Sequence, residues 1–553
     1  MSQSSYFERH RETLDGGIKA SRTRQYWTAY PESPSPRVYG ETASKDGEAA
    51  FKSRLNKDFD LDQPGITGRI GAEKSPYGFD LGVTYPQEDV AALVAGVEEI
   101  RGDWAKASIE TRTGICLEIL DRINKRSFEI GFAVMHTTGQ AFMMAFQAGG
   151  PHAQDRGLEA VVYAYEDMTR TPAVARWEKP QGKRDPIVME KHFTVVPRGI
   201  GLVIGCSTFP TWNSYPGLFA SLVTGNAVIV KPHPGAILPL AISVEICRDV
   251  LAEQGFNPNI VTLAADSAEA PLAKELALRP EVKLIDFTGS TAFGNWLEQN
   301  ATQAQVYTEK AGVNCVIIDS TDNFRGMVGN LAFTLSLYSG QMCTTPQNIF
   351  IPEGGIDTEG GHKSFDEVVD ALKTGVEKLN GDDERAAAIL GAIQSKATFD
   401  RIGEYGAGDN VILASRAVPM AGFDAATIQT PLMLKATDEA SYTAELFGPI
   451  SFVVPTKNTE DSLNIVENSV KNHGAISFGI YSTSEDILDR AEEVACRAGV
   501  AVSFNLTGGV YVNQTAAFSD FHATGCNPAA NAALSDTAYV SNRYRVVQSR
   551  KHI

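Results

Sequence analysis

The arrangement of apolar and polar positions changes twice along the chain. Residues 1–85 hold no sustained period; they are rich in Pro, Gly, Ser and charge (YPESPSPRVYGETASKDGE) and read as an irregular surface arm with a short helix near residues 6–13. From residue 86 to 137 apolar residues recur at i, i+3, i+4 and i+7, as in PQEDVAALVAGVEEIRGDWAKAS. That spacing predicts amphipathic helices, and DRGLEAVVYAYEDMTR predicts another. At IVMEKHFTVVPRGIGLVIGC alternation gives way to a continuous apolar run, the pattern of a hairpin followed by a buried strand. Short apolar runs then alternate with helical ones through NAVIVKP, LPLAISVEICRDVLAEQG, NIVTLA and VKLIDFTGS. A second such series runs from NCVIID to VAVSFN. Alternation of this kind means βαβ units and parallel sheets, so two α/β domains with a cleft between them are expected.

Composition narrows the partners. The 553 residues are 43% hydrophobic and 21% charged, an ordinary globular balance, and the net charge of −18 argues against nucleic acid. No run approaches the roughly 18 apolar residues of a membrane helix, and the polar N-terminus shows no secretory signal, so a cytoplasmic protein with no membrane partner is expected. Seven cysteines are scattered with no CxxC pair, which speaks against a disulfide framework and against a metal site. One thiol could still be a nucleophile.

Four short motifs carry candidate chemistry. FTGSTAFG (287–294) is a strand, a Gly-rich turn and a helix start, where the backbone around Gly289, Ser290 and Gly294 could face a dinucleotide pyrophosphate. SLYSGQMCTTPQNIFIP (336–352) sets Cys343 at a helix-to-strand junction, a plausible place for a thiolate. YTEKAGVN (307–314) puts Glu309 just after a strand, and AELFGPIS (444–451) joins Glu445 and Phe447 to a Gly-Pro turn. Taken singly, each has an ordinary alternative: a packing turn, an inert buried thiol, a surface carboxylate, a loop.

Their order and spacing do not. From about residue 90 onward the chain resembles the NAD(P)-dependent aldehyde dehydrogenase superfamily, with Glu309 and Cys343 standing 34 positions apart. The resemblance implies two doubly wound, Rossmann-like parallel-sheet domains plus a small oligomerisation hairpin. An arm (1–85) would precede an NAD(P)-binding domain (86–174 and 198–311) and a catalytic domain (312–522). The hairpin (175–197) would pair with the C-terminal segment (523–553), the final strand coming from a neighbouring subunit of a homodimer or homotetramer. It implies that Cys343 attacks the aldehyde, that Glu309 activates water to release the acid, that Glu445 and Phe447 hold the nicotinamide ribose and ring, and that Lys231 and Pro232 lie at the adenosine ribose.

The chain departs from the family at three places. In GCSTFPTWNSYP (205–216) an ungapped alignment puts Thr208, 23 residues before Lys231, where the family has its oxyanion asparagine; Asn213, 18 residues before it, is the other candidate. Thr208 is the favoured reading. Pro234 stands where NAD-preferring members carry a ribose-binding glutamate, so NADP is expected, with NAD also admissible. Val313 replaces a family lysine. The arm, KPHPGA and FSDFHATGCNPAANAAL (518–534) resemble the phenylacetic acid degradation group called PaaN, which implies a semialdehyde of a ring-cleaved CoA thioester as substrate. No hydratase-like domain is expected after Ile553. His522, Asp520 and His473 lie in loops that could line the aldehyde pocket. Two alternatives stay open: a CoA-acylating dehydrogenase, which Glu309 disfavours, and a catalytically weak scaffold protein of the pathway.

Overall fold

The computed structural model describes residues 4–553. The two α/β series fold as the alternation predicts. In the first sheet the strands lie in the order Gln305–Glu309, Val282–Thr288, Ile200–Ile204, Ala227–Lys231, Val261–Leu263, all parallel. The chain starts in the middle at Ile200–Ile204, runs out to Val261–Leu263 and crosses back to Val282–Thr288. A crevice therefore opens at the carboxyl ends of Ile200–Ile204 and Val282–Thr288, where doubly wound sheets take their ligands. The second sheet runs Val411–Leu413, Leu432–Lys435, Ile450–Thr456, Asn348–Pro352, Cys315–Ile318, Ser477–Tyr481, Ala501–Phe504, parallel except at the Val411–Leu413 edge. Strands such as Ile200–Ile204 and Asn348–Pro352 are buried at every residue, because helices cover both faces.

Residues 4–85 are not the irregular arm that their composition predicts. They form helices Ser4–Arg9, Arg11–Thr23, Pro36–Tyr39 and Ala43–Arg54, then a strand Ile66–Ile70 that pairs with Tyr85–Glu88. The buried face of Arg11–Thr23 is Leu14, Gly17, Ala20 and Ser21, too small and too polar to register as an apolar stripe. Gly17 lets this helix approach closely: a Cβ there would stand 2.6 Å from Val162 Cγ2. Polar contacts fix the docking. Glu118 accepts from Arg9 at 3.1 Å and from Arg122 at 2.9 Å and lies 2.7 Å from His10 Nε2; Asp155 accepts from the Thr28 hydroxyl at 2.5 Å.

The hairpin Val174–Gln181 and Arg184–Pro197 gains its third strand, Tyr544–His552, from the same chain, with Tyr544 opposite Pro197 and His552 opposite Met189. This corrects the expected donation by a neighbouring subunit. Nor does all of 523–553 belong with the hairpin. Glu309 is bridged to Ala530, Lys310 N donates to Ala529 O at 2.6 Å, and Tyr539 donates to Asp286 at 2.7 Å, so the segment first crosses the cofactor-side sheet. Arg543 closes that crossing. Fully buried, it makes two bonds to Asp286 (2.8 and 2.6 Å) and one to Ser221 (2.8 Å), beside the rings of Tyr307 and Tyr539. Removing one partner of a buried pair strands the other, at about 3–5 kcal/mol. Arg543→Ala is thus expected to lower the thermal unfolding transition by several degrees, with Arg543→Lys recovering only part; an unchanged transition would contradict this.

Candidate active site

The turn before Cys343 is strained. Tyr338 (φ 51°), Ser339 (φ 48°) and Gly340 (φ 63°) are all left-handed. For the two non-glycine residues such backbone costs about 1–3 kcal/mol each and persists only where surroundings enforce it. They do so here. Tyr338 donates to Thr138 O at 2.6 Å, and Ser339 to Gln429 O at 3.0 Å. The Gln341 amide donates to Ala392 O at 2.9 Å and accepts from Gln394 N at 2.9 Å. Gly340 can carry no side chain, since a Cβ would lie 2.5 Å from Gly448 O. On the other side Asn314 donates to Cys343 O (2.7 Å) and Thr345 O (3.1 Å), while its own oxygen accepts from Ile476 N and Ser477 N. The nucleophile candidate is pinned from both flanks.

Three side chains surround its sulfur. Glu309, the last residue of its strand, places Oε2 3.2 Å from His522 Nε2 and 3.3 Å from Asn213 Nδ2, which donates to it. The same His522 Nε2 lies 3.8 Å from Cys343 Sγ. Burial would raise the Glu309 carboxyl, but the His522 ring, the Cys343 thiol and the Asn213 amide hold it below the ordinary range. Burial, and then the Glu309 carboxylate, push the Cys343 thiol well above its ordinary value. The resting pair is therefore a thiol beside a carboxylate, and Glu309 Oε1 is buried with no partner of its own. The donor atoms of Glu309, Cys343 and His522 lie within 4.8 Å of one another, near enough to hold a metal ion, though each already engages the others.

Asn213, not Thr208, is brought to this cluster. The helix begins at Pro210, so Asn213 sits in its first turn, and helical side chains lean back toward the N-terminus, here over Cys206 and Glu309. Thr208 instead turns its hydroxyl to the Cys206 thiol and its carbonyl accepts from Gln140 at 2.7 Å. Counting residues fixes position along the chain but not which side chain reaches the Glu309 carboxylate. Two members of the arrangement had weaker signals. His522 is held by a paired bridge to Leu534 (3.2 and 2.9 Å), a contact between loops that no periodicity reports. Asn314 closes the YTEKAGVN motif, and its place directly ahead of a buried strand was the available sign. His473 ends the helix Thr459–His473 and does not line the cavity.

The cofactor candidates gather at the crevice. Lys231 ends its strand; its Nζ lies 2.7 Å from Asp266 Oδ2 and donates to Pro232 O at 3.0 Å. Gly289 N donates to Glu309 O at 3.0 Å, Ser290 caps the Thr291–Asn300 helix through Phe293 N, and a Cβ on Gly294 would stand 2.5 Å from Lys310 Cδ. Glu445 and Phe447 line a small cavity with Gly312, Gly340 and Met342; burial pushes the Glu445 carboxyl up to about 7. A cavity of about 600 Å³ leads to Cys343, Asn213 and His522 past Phe209 and Trp212, and Tyr26, Trp27 and Glu32 of the N-terminal segment form part of its wall. No helix is long and apolar enough to cross a membrane among the described residues.

A thiol beside a carboxylate lies where two doubly wound sheets meet, and residues 84–528 match the aldehyde dehydrogenase family, to which the chain belongs. A solved structure described as an NAD-dependent aldehyde dehydrogenase from Burkholderia multivorans is 56% identical, covers 99% of both chains and superposes with a TM-score of 0.98. An N-succinylglutamate 5-semialdehyde dehydrogenase from Burkholderia lata is 24% identical over 72% of this chain and 78% of its own. A 2-aminomuconic 6-semialdehyde dehydrogenase from a Pseudomonas species is 24% identical over 75% of this chain and 81% of its own.

Proposed function

We propose that the protein oxidises a semialdehyde to the carboxylic acid with NAD, through a thioester on Cys343. The observation that carries this is the cluster of Cys343, Glu309 and Asn213 at the foot of an open cavity. Sγ attacks the aldehyde carbon while the thiol proton leaves by way of the His522 ring, 3.8 Å from Sγ, so that Glu309 stays ionised. The Asn213 amide and the Cys343 backbone N–H donate to the developing oxyanion. A bound nicotinamide would supply the hydride acceptor, and the substrate carbon would then stay on Cys343 as a thioester. Glu309, ionised and with an unpartnered oxygen, then takes a proton from water as it attacks the thioester and gives that proton to the departing sulfur.

Lys231, the turn at Gly289–Ser290 and Glu445 would hold the dinucleotide. The local charge favours NAD over the NADP expected from Pro234. The Lys231 ammonium is engaged by buried Asp266, whose Oδ1 is unpartnered; this pair suits a ribose hydroxyl and would repel a 2′-phosphate. The relatives support a semialdehyde substrate, and the stretches resembling PaaN support one linked to CoA in phenylacetate breakdown. The hairpin sheet supports a homodimer or homotetramer. Glu309 favours hydrolysis over CoA-acylating release.

Two measurements test this. Nucleotide reduction across an aldehyde panel, with NAD or NADP and with or without CoA, should show NAD-dependent turnover that needs no CoA; a stoichiometric CoA requirement would mean the acylating reaction. Asn213→Ala should lower kcat by about 10²–10³-fold, the loss of one oxyanion donor, and Thr208→Ala only a few-fold. The reverse ranking would return the oxyanion role to Thr208.

A further inference from the structure

The aldehyde cavity is lined by aromatic and neutral polar groups, and its charged groups are already committed. Among the described residues lining it there is no Lys or Arg. Glu32 at the rim is paired with His152 at 2.7 Å. Asp155 accepts from Thr28 and Ala29 N, and burial pushes its carboxyl up to about 8. Asp520 accepts from Ala516 N at 2.8 Å. Arg156, behind Trp212, is 1% exposed and paired with Glu159 at 2.7 Å, and Arg24 lies outside the wall over the Phe521 ring. A carboxylate drawn into this cavity would lose water, find no Lys or Arg in the wall and face the carboxylates of Glu32 and Asp520. An uncharged chain gives up far less hydration than a carboxylate and meets Tyr26, Trp27, Phe209 and Trp212.

Resting on the aldehyde oxidation proposed above, we infer that this cavity selects aldehydes whose far end is uncharged, such as an ester, amide or thioester, and discriminates against the free carboxylate of a dicarboxylic semialdehyde. The N-terminal segment is then a specificity element, since Tyr26, Trp27 and Glu32 supply the outer wall. A thioester-linked semialdehyde meets the requirement; its hydrolysed acid does not.

The test compares adipic semialdehyde with its methyl ester, the same chain with and without the distal charge. The ester should show a kcat/KM about tenfold or more higher, carried by KM. Glu32→Lys, which places a cation at the rim, should raise the acid-to-ester ratio about fivefold. Binding gives a readout apart from turnover: Trp27 and Trp212 line the cavity, so quenching of tryptophan fluorescence by adipamate and its methyl ester reports the same preference. Tighter binding of the ester supports the inference even if neither aldehyde is oxidised, an outcome that would sink the aldehyde oxidation instead. Equal or tighter binding of the carboxylate overturns it, and so does a preference for an ammonium-ended aldehyde over the ester.

Discussion

Cys343→Ala is expected to lower aldehyde-dependent NADH formation by about 10⁴-fold or more, because the residue supplies the covalent bond on which both half-reactions depend. No neighbouring thiol can take its place. Cys206 is the nearest candidate, but its thiol donates to Asn213 Oδ1 at 3.5 Å. Cys315 is buried inside a strand of the second sheet. The substitution removes a small side chain from a turn fixed by Tyr338, Ser339, Gln341 and Asn314, so fold and NAD binding should survive. The assay is steady-state NADH absorbance, with NAD affinity measured separately. Activity within tenfold of the wild type would remove the nucleophile.

Glu309→Gln is expected to divide the reaction. Glutamine keeps an oxygen for Asn213 but cannot take a proton, so hydride transfer should continue while release of the acid slows by about 10²–10⁴-fold. Rapid-mixing traces should show one NADH per active site in a burst, followed by a slow steady state. The pH profile gives an independent check. The Glu309 carboxyl is held below the ordinary range in the folded protein, and it works as a base only when ionised. Wild-type release should therefore persist as pH falls through the usual carboxylate range and fail only below it. The Glu309→Gln variant should lack that limb. A burst-free trace with equal loss of both steps would assign Glu309 a different role.

Much of this arrangement was legible in the chain. The strands of both sheets announce themselves as short apolar runs, and the four motifs fall at strand ends and turns, where local residue types decide the backbone. The N-terminal segment was missed because its buried helix face is built from Gly17, Ala20 and Ser21, whose burial depends on the partner rather than on hydropathy. His522 was visible only as a loop histidine, since its contact with Glu309 depends on a tail that returns from far along the chain. Spacing favoured Thr208 over Asn213, but the start of the Pro210–Val223 helix, not the residue count, sets which side chain reaches the carboxylate. The Pro234 argument for NADP weighed one missing carboxylate; the proposed preference for NAD weighs another, Asp266, supplied from a different strand end. The final strand's partner is a matter of chain path, on which a sequence of alternating residues is silent.

The most direct test uses Glu309→Gln protein mixed once with NAD and an aldehyde, quenched in acid and digested for mass spectrometry. An acyl group on the peptide containing Cys343, in a one-to-one ratio with the NADH formed, is the expected result. NADH formed with that peptide unmodified, or with the acyl group on Cys206, would contradict it.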